Sequence, residues 1–116
     1  MKENLLKDLT FKFAIRIVEL SRSLQELKKE WILSKELLRS GTSVGALVRE
    51  AEFAQSRADF ISKLSIALKE ANETQYWIEL LKESNLLEVE SFESLNSDLK
   101  LIIGLLVKSI KTTKGL

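Results

Sequence analysis

The sequence predicts an all-α fold, an antiparallel four-helix bundle. Three observations carry that prediction. The 116 residues contain no proline and only four glycines, too few turn-formers for a sheet protein of this size. Apolar residues recur at spacings of three and four, which places them on one face of a helix. Hydrophobic residues make up 45% of the chain, enough for a modest core and too many for a disordered one. The length predicts one domain, residues 1–116.

The first helix is marked by Leu6, Leu9, Phe13, Ile17, Leu20, Leu24 and Leu27. Phe11, Ala14, Ile15 and Val18 widen the stripe, so this helix is apolar over more than half its girth. Such a helix is buried on two sides, at the centre of the bundle or against another subunit. Lys28, Lys29 and Glu30 interrupt the pattern. Trp31, Ser34, Leu37 and Leu38 resume it in a short second helix near residues 29–40. In Ser-Gly-Thr-Ser at 40–43, Gly41 is expected to end that helix in the left-handed conformation. Thr42 or Ser43 would cap the next.

A long third helix is then expected from Val44 to Ser84, about 60 Å if unbroken. That length favours a bend near Gln55 and Ser56. Phe92, Leu95, Leu99, Ile102, Leu106 and Ile110 mark the fourth helix, with Val89 one step earlier and Ser91 or Ser94 as its cap. Gly104 in its middle costs about 1 kcal/mol relative to alanine and suggests a close helix crossing. The last residues, Lys-Thr-Thr-Lys-Gly-Leu, read as a frayed tail.

Composition excludes several kinds of chemistry. With no cysteine and no histidine, the chain has no disulfide, no Ser-His-Asp or Cys-His site, and no zinc site of the usual ligands. No cofactor or metal is expected, and an enzyme is the least favoured class. A net charge of +1 argues against a globally basic nucleic-acid binder. No apolar run reaches the roughly 20 residues of a membrane span. The start, Met-Lys-Glu-Asn-Leu-Leu, lacks a signal-peptide pattern. A cytoplasmic protein with no membrane partner is the expectation.

Charge is uneven along the chain. Residues 70–98 carry eight acids against the single Lys82, whereas residues 99–116 carry four lysines and no acid. Salt bridges within the bundle, or a head-to-tail contact between subunits, would exploit this asymmetry.

Four constellations bear on function. Gly-Thr-Ser-Val-Gly at 41–45 precedes a predicted helix start, where anions bind, but no Walker-type pattern follows. A helix cap explains it better. Glu70 and Glu73 lie three apart on one helix face, yet di-metal bundle sites pair glutamate with histidine, which is absent. Arg39, Ser43, Arg49, Glu50 and Glu73 form a candidate structural polar network: Arg39 would meet Glu50 across the predicted turn. Glu73 would join only if the third helix folds back, or across a subunit boundary. Arg22, Lys28 and Lys29, and separately Lys108, Lys111 and Lys114, are the candidate nucleic-acid contacts. Trp31, Phe60 and Trp77 sit in apolar stripes and read as core, not as base-stacking platforms.

Residues 37–81, from Leu-Leu-Arg-Ser-Gly-Thr-Ser to Trp-Ile-Glu-Leu-Leu, resemble small bacterial four-helix bundle proteins encoded in intervening sequences of 23S ribosomal RNA genes. Arg39, Ser43 and Val44 match the family's Arg-rich helix end and Ser-Ile turn, and Glu50 matches its Asn-Ile-Ala-Glu-Gly stretch. Asp59-Phe60-Ile61, Ile66-Ala67 and Glu73 match the segments that follow. In order and pattern the likeness extends over about residues 9–110. Leu47-Val48-Arg49 departs from Asn-Ile-Ala, and Ala51 replaces the glycine, which favours an unbroken third helix.

The resemblance implies a bundle assembled into a ring, a homopentamer, in keeping with the doubly apolar first helix. It also implies kinship with the accessory variability proteins of diversity-generating retroelements, which bind a reverse transcriptase and nucleic acid. From this come two expectations of role. The first is a non-enzymatic scaffold that binds RNA or a ribonucleoprotein partner. The alternative is a structural protein–protein interaction module with no nucleic-acid binding.

Overall fold

The computed structural model describes residues 2–116, with side chains from Leu5 onward. Four helices follow one another: α1 (Lys2–Lys28), α2 (Ile32–Glu52), α3 (Arg57–Glu83) and α4 (Val89–Lys114). Short connections reverse the chain three times, so each helix runs antiparallel to the next and α4 returns beside α1. The bundle measures 45 × 22 × 20 Å, and its long dimension is set by 26- and 27-residue helices at about 1.5 Å per residue. All-α and four-helix are correct; several predicted boundaries are not.

The helix does not stop at Gly41. α2 continues through Ser-Gly-Thr-Ser and ends eleven residues later, at Glu52. The small residues serve packing rather than turning. A Cβ on Gly41 would lie 2.8 Å from Ile17 Cγ1 and Cγ2, and one on Gly45 would lie 3.3 Å from the Thr10 carbonyl oxygen. The missing side chains let α1 and α2 approach closely. The hydroxyls predicted as caps are satisfied inside the helix: Thr42 Oγ1 donates to Leu38 O (2.6 Å) and Ser43 Oγ to Arg39 O (2.6 Å).

The long third helix expected from Val44 to Ser84 is two helices: near Gln55 and Ser56, where a bend is expected, the chain reverses outright at 53–56. Backbone N–H groups of Phe53 and Ala54 close the end of α2 on Glu50 O and Ala51 O. Ser56 then caps α3, accepting from Asp59 N (3.0 Å), and Asp59 Oδ2 accepts from Gln55 N (3.1 Å). These reciprocal bonds satisfy two donors that a helix start leaves orphaned.

At the α1–α2 turn, Lys29 takes a left-handed conformation (φ 57°) and Glu30 N donates back to Leu24 O (2.9 Å). The Glu30 carboxylate accepts from Ile32 N (2.7 Å) and Leu33 N (2.6 Å), opening α2. Asn85 (φ 61°) ends α3, with Leu86 N donating to Leu81 O (2.8 Å). Neither Ser91 nor Ser94 caps α4, whose N-cap is Glu88. Buried Leu87 and Phe92 occupy the positions of a hydrophobic staple there. Residues 111–114, expected to fray, are helical, and Gly115 (φ 82°) caps them in the left-handed region. Gly104 marks no crossing within the bundle, for nothing lies within 4 Å of a Cβ built there.

The core contains Phe13, Ile17 and Leu24 from α1, Leu37 and Val44 from α2, Leu64, Ile78 and Leu81 from α3, and Leu99, Ile102 and Leu106 from α4. Buried hydroxyls fix the antiparallel register. Ser21 Oγ donates to Ser34 O (2.9 Å) between α1 and α2, and Thr74 Oγ1 to Ser40 Oγ (3.0 Å) between α3 and α2. Among the described residues no buried side-chain nitrogen or oxygen lacks a partner, as a rigid interior requires.

Candidate functional site

Arg39 lies on the outer side of α2 where α3 passes it in the opposite direction. Its guanidinium reaches Glu36 on its own helix (3.3 Å), Glu70 across the helix pair (3.1 Å) and Glu73 one turn on. Glu73 also accepts from the indole N–H of Trp77 (2.9 Å). The spacing explains the convergence. Glu36 and Arg39 are three apart on α2, Glu70 and Glu73 three apart on α3, and Trp77 stands one turn beyond Glu73. Burial works against the Arg39 charge, but Glu36, Glu73 and Glu70 together hold its pKa above the ordinary value.

Glu73 thus joins Arg39 because the chain reverses at 53–56 and brings α3 back along α2. Glu50 does not. It lies on the same helix as Arg39, three turns away and exposed, with no side-chain ion pair or hydrogen bond among the described residues. Ser43 only donates to its own helix. Arg49 stands apart from the cluster and lies over the Phe11 ring, 4.9 Å from its centroid, a cation–π contact. Glu36, Glu70 and Trp77 join the network without having been among the predicted members, although their three- and four-residue spacings carry the signal. Each carboxylate in the cluster is committed to the guanidinium or the indole, so the arrangement locks α2 to α3 and leaves no unengaged base.

A second polar link is likewise absent from the sequence-based expectation. Arg16 on α1 donates to Asp98 Oδ2 (2.6 Å) and to Ser94 Oγ (2.9 Å) on α4. It spans a shallow groove floored by Leu9, Phe13 and Ile102.

The basic residues fall into two groups. Arg22 lies near the end of α1, and Lys28 and Lys29 lie at the α1–α2 turn, all exposed. Lys108, Lys111 and Lys114 run along the last turns of α4. The topology puts these groups at opposite ends of the 45 Å bundle. Lys111 and Lys114 also face a helix C-terminus, whose dipole favours cations with no ligand involved.

The most conspicuous surface is apolar. Phe11, Ile15 and Val18 on α1 are 50%, 45% and 36% exposed and follow one another at helical spacing on the side away from the core. Phe11 also lines a hollow between α1 and α2, together with Ala14, Thr42, Gly45, Ala46 and Arg49. The double apolar character of the first helix therefore has one face in the core and one face outside. Among the described residues no group of acidic side chains is arranged to hold a metal ion. No helix is long and apolar enough to cross a membrane.

Comparison with known proteins places these features. The model of the family described as 23S rRNA-intervening sequence protein matches residues 2–108. Among solved structures, a protein of unknown function from the S23 ribosomal protein family of Bacteroides thetaiotaomicron VPI-5482 superposes with a TM-score of 0.94. It is 56% identical, and the alignment covers 96% of this chain and 99% of that one. No curated protein matches the chain.

Proposed function

The chain belongs to the 23S rRNA-intervening sequence protein family, and from that membership we propose that it is a non-enzymatic scaffold that assembles with copies of itself and binds RNA or a ribonucleoprotein partner. The assembly is a ring, a pentamer by the family likeness, and the protein works in the cytoplasm as one 116-residue domain. The expected kinship with accessory variability proteins belongs to the same proposal. One observation carries the self-assembly: the solvent-facing stripe of Phe11, Ile15 and Val18 on α1, with the small-residue hollow of α2 next to Phe11. A contiguous apolar patch of this kind on a bundle that already has a complete core marks a contact surface. Small residues at its floor, Ala14, Gly45 and Ala46, leave room for a neighbour's side chains.

Charge supports a head-to-tail arrangement. Glu79, Glu88, Glu90 and Glu93 form no ion pair among the described residues, and neither do Lys108, Lys111 and Lys114. Neither the family description nor the solved neighbour is assigned a reaction, and the polar cluster at Arg39 is already internally paired.

Light scattering of the purified protein over a dilution series tests the assembly. A particle about five times the 13.2 kDa chain is expected; a 13.2 kDa particle at every concentration contradicts it. The alternative role is a protein–protein module without nucleic acid. Retention of RNA that weakens steeply as salt rises separates the two, because only phosphate contacts release counterions.

A further inference from the structure

Outside the α1 stripe, three large apolar residues lie exposed close together at one end of the bundle. There the α1–α2 turn presents Leu27 at 77%, Trp31 at 52% and Ile32 at 76%. Trp31, predicted in the core, is not among the residues packed against it. The two tryptophans differ. Trp77 is partly buried and tied to Glu73 through its indole N–H. Trp31 heads α2 with no hydrogen bond, aromatic pair or cation–π contact among the described residues.

The residues that flank Trp31 in the chain are mostly cationic, whereas the α3–α4 turn at the same end of the bundle carries the exposed Glu83, Glu88 and Glu90. Lys28, Lys29 and Lys35 are all exposed, and none is in an ion pair among the described residues. The one acid inside that stretch, Glu30, is turned onto the backbone N–H groups of Ile32 and Leu33. Lys28 also borders a cleft toward the α3–α4 turn, which it shares with Lys82, Asn85, Ser91 and Glu88. The fixed left-handed backbone at Lys29 and the Glu30 cap hold these groups in place.

We infer that this tip is a binding site for single-stranded RNA. A base stacks on Trp31 and the flanking phosphates meet Lys28, Lys29 and Lys35, while Glu83, Glu88 and Glu90, with Lys82 already paired to Glu83 (3.4 Å), keep the strand off the α3–α4 turn. An aromatic face beside unpaired lysines is the combination single-strand binders use, and it needs no sequence preference. A duplex, whose bases are already stacked, offers Trp31 no face. The inference rests on the RNA-binding reading above and places it at one end of the bundle, away from Lys108, Lys111 and Lys114.

The test is fluorescence anisotropy with a labelled oligouridylate of about 20 nucleotides, against a duplex of the same length. The single strand is expected to bind better than the duplex. Trp31→Ala should weaken it by about 5- to 150-fold, and Trp31→Phe should restore most of that affinity. Lys28→Gln with Lys29→Gln should lower the salt slope by about 0.7 for each phosphate no longer neutralised. Because Trp31 lies outside the core, unchanged thermal melting of each variant is the control for folding. Undiminished binding by Trp31→Ala overturns this site while leaving RNA binding in place. No binding of either RNA by the unaltered protein overturns both. Binding of Trp31 to phosphatidylglycerol vesicles with no RNA affinity assigns the tip to a lipid surface and overturns the inference.

Discussion

At the scale of single residues, the four glycines divide by what a methyl group would meet. Gly41→Ala places a Cβ against the buried Ile17 side chain at 2.8 Å. The gain in helix propensity is about 1 kcal/mol, and overpacking a closed interface costs about 1–3 kcal/mol. Net destabilisation of roughly 1 kcal/mol is expected for Gly41→Ala. Gly104→Ala meets nothing within 4 Å and is expected to stabilise the bundle by about 0.5–1 kcal/mol. Urea unfolding of the two variants in parallel checks both signs. The sequence misleads at Gly41 for a physical reason. Glycine serves left-handed turns and close helix contacts equally well, and the atom that decides between them, on Ile17, is twenty-four residues away in the chain. Trp31 shows the converse: an aromatic in step with an apolar stripe is read as buried, and only its place at the first turn of α2 leaves it outside.

At the scale of elements, helix existence is legible in the sequence and helix boundaries are not. The three- and four-residue spacing in α1 and α4 places Phe13, Ile17, Leu99 and Ile102 in the core as expected. The reversal between α2 and α3 depends on Ser56 and Asp59, polar residues with no weight in an apolar pattern. Ser56→Ala is expected to cost about 1 kcal/mol of stability through the missing cap. Asp59 adds a pH dependence. Its hydrogen bond from the Gln55 N–H, with help from Lys63, holds its pKa below the ordinary 3.8. A depressed folded pKa means stability that is complete above 3.8 and fades as pH falls through the lowered value. Asp59→Asn should therefore be less stable than the parent near neutral pH, with the difference shrinking in acid; urea titrations at about pH 7 and about pH 2.5 measure it. The Arg39 cluster is half legible. Arg39 and Glu73 both stand out in the sequence as members of a polar network, but pairing Arg39 with Glu50 follows from the misplaced turn. A turn at 53–56 is what brings Glu70 and Glu73 alongside.

At the scale of the whole molecule, the bundle satisfies its own interior and still leaves a greasy side. Phe11, Ile15 and Val18 stand outside the core, with only Phe11 engaged by a charged neighbour, Arg49, and they lie on the helix whose sequence carries a second apolar face. Periodicity alone signals that second face, and the proposed assembly is what would cover it. The most direct measurement is the light-scattering mass of Ile15→Glu beside the unaltered protein, with helical circular dichroism recorded on both. Ile15 is 45% exposed, so the charge enters water in a lone bundle but falls inside a dry contact in an assembly, where an unpaired carboxylate costs several kcal/mol. The predicted result is a multimer for the parent and a monomer of unchanged helicity for the variant. Equal masses for the two proteins would contradict the assembly through α1.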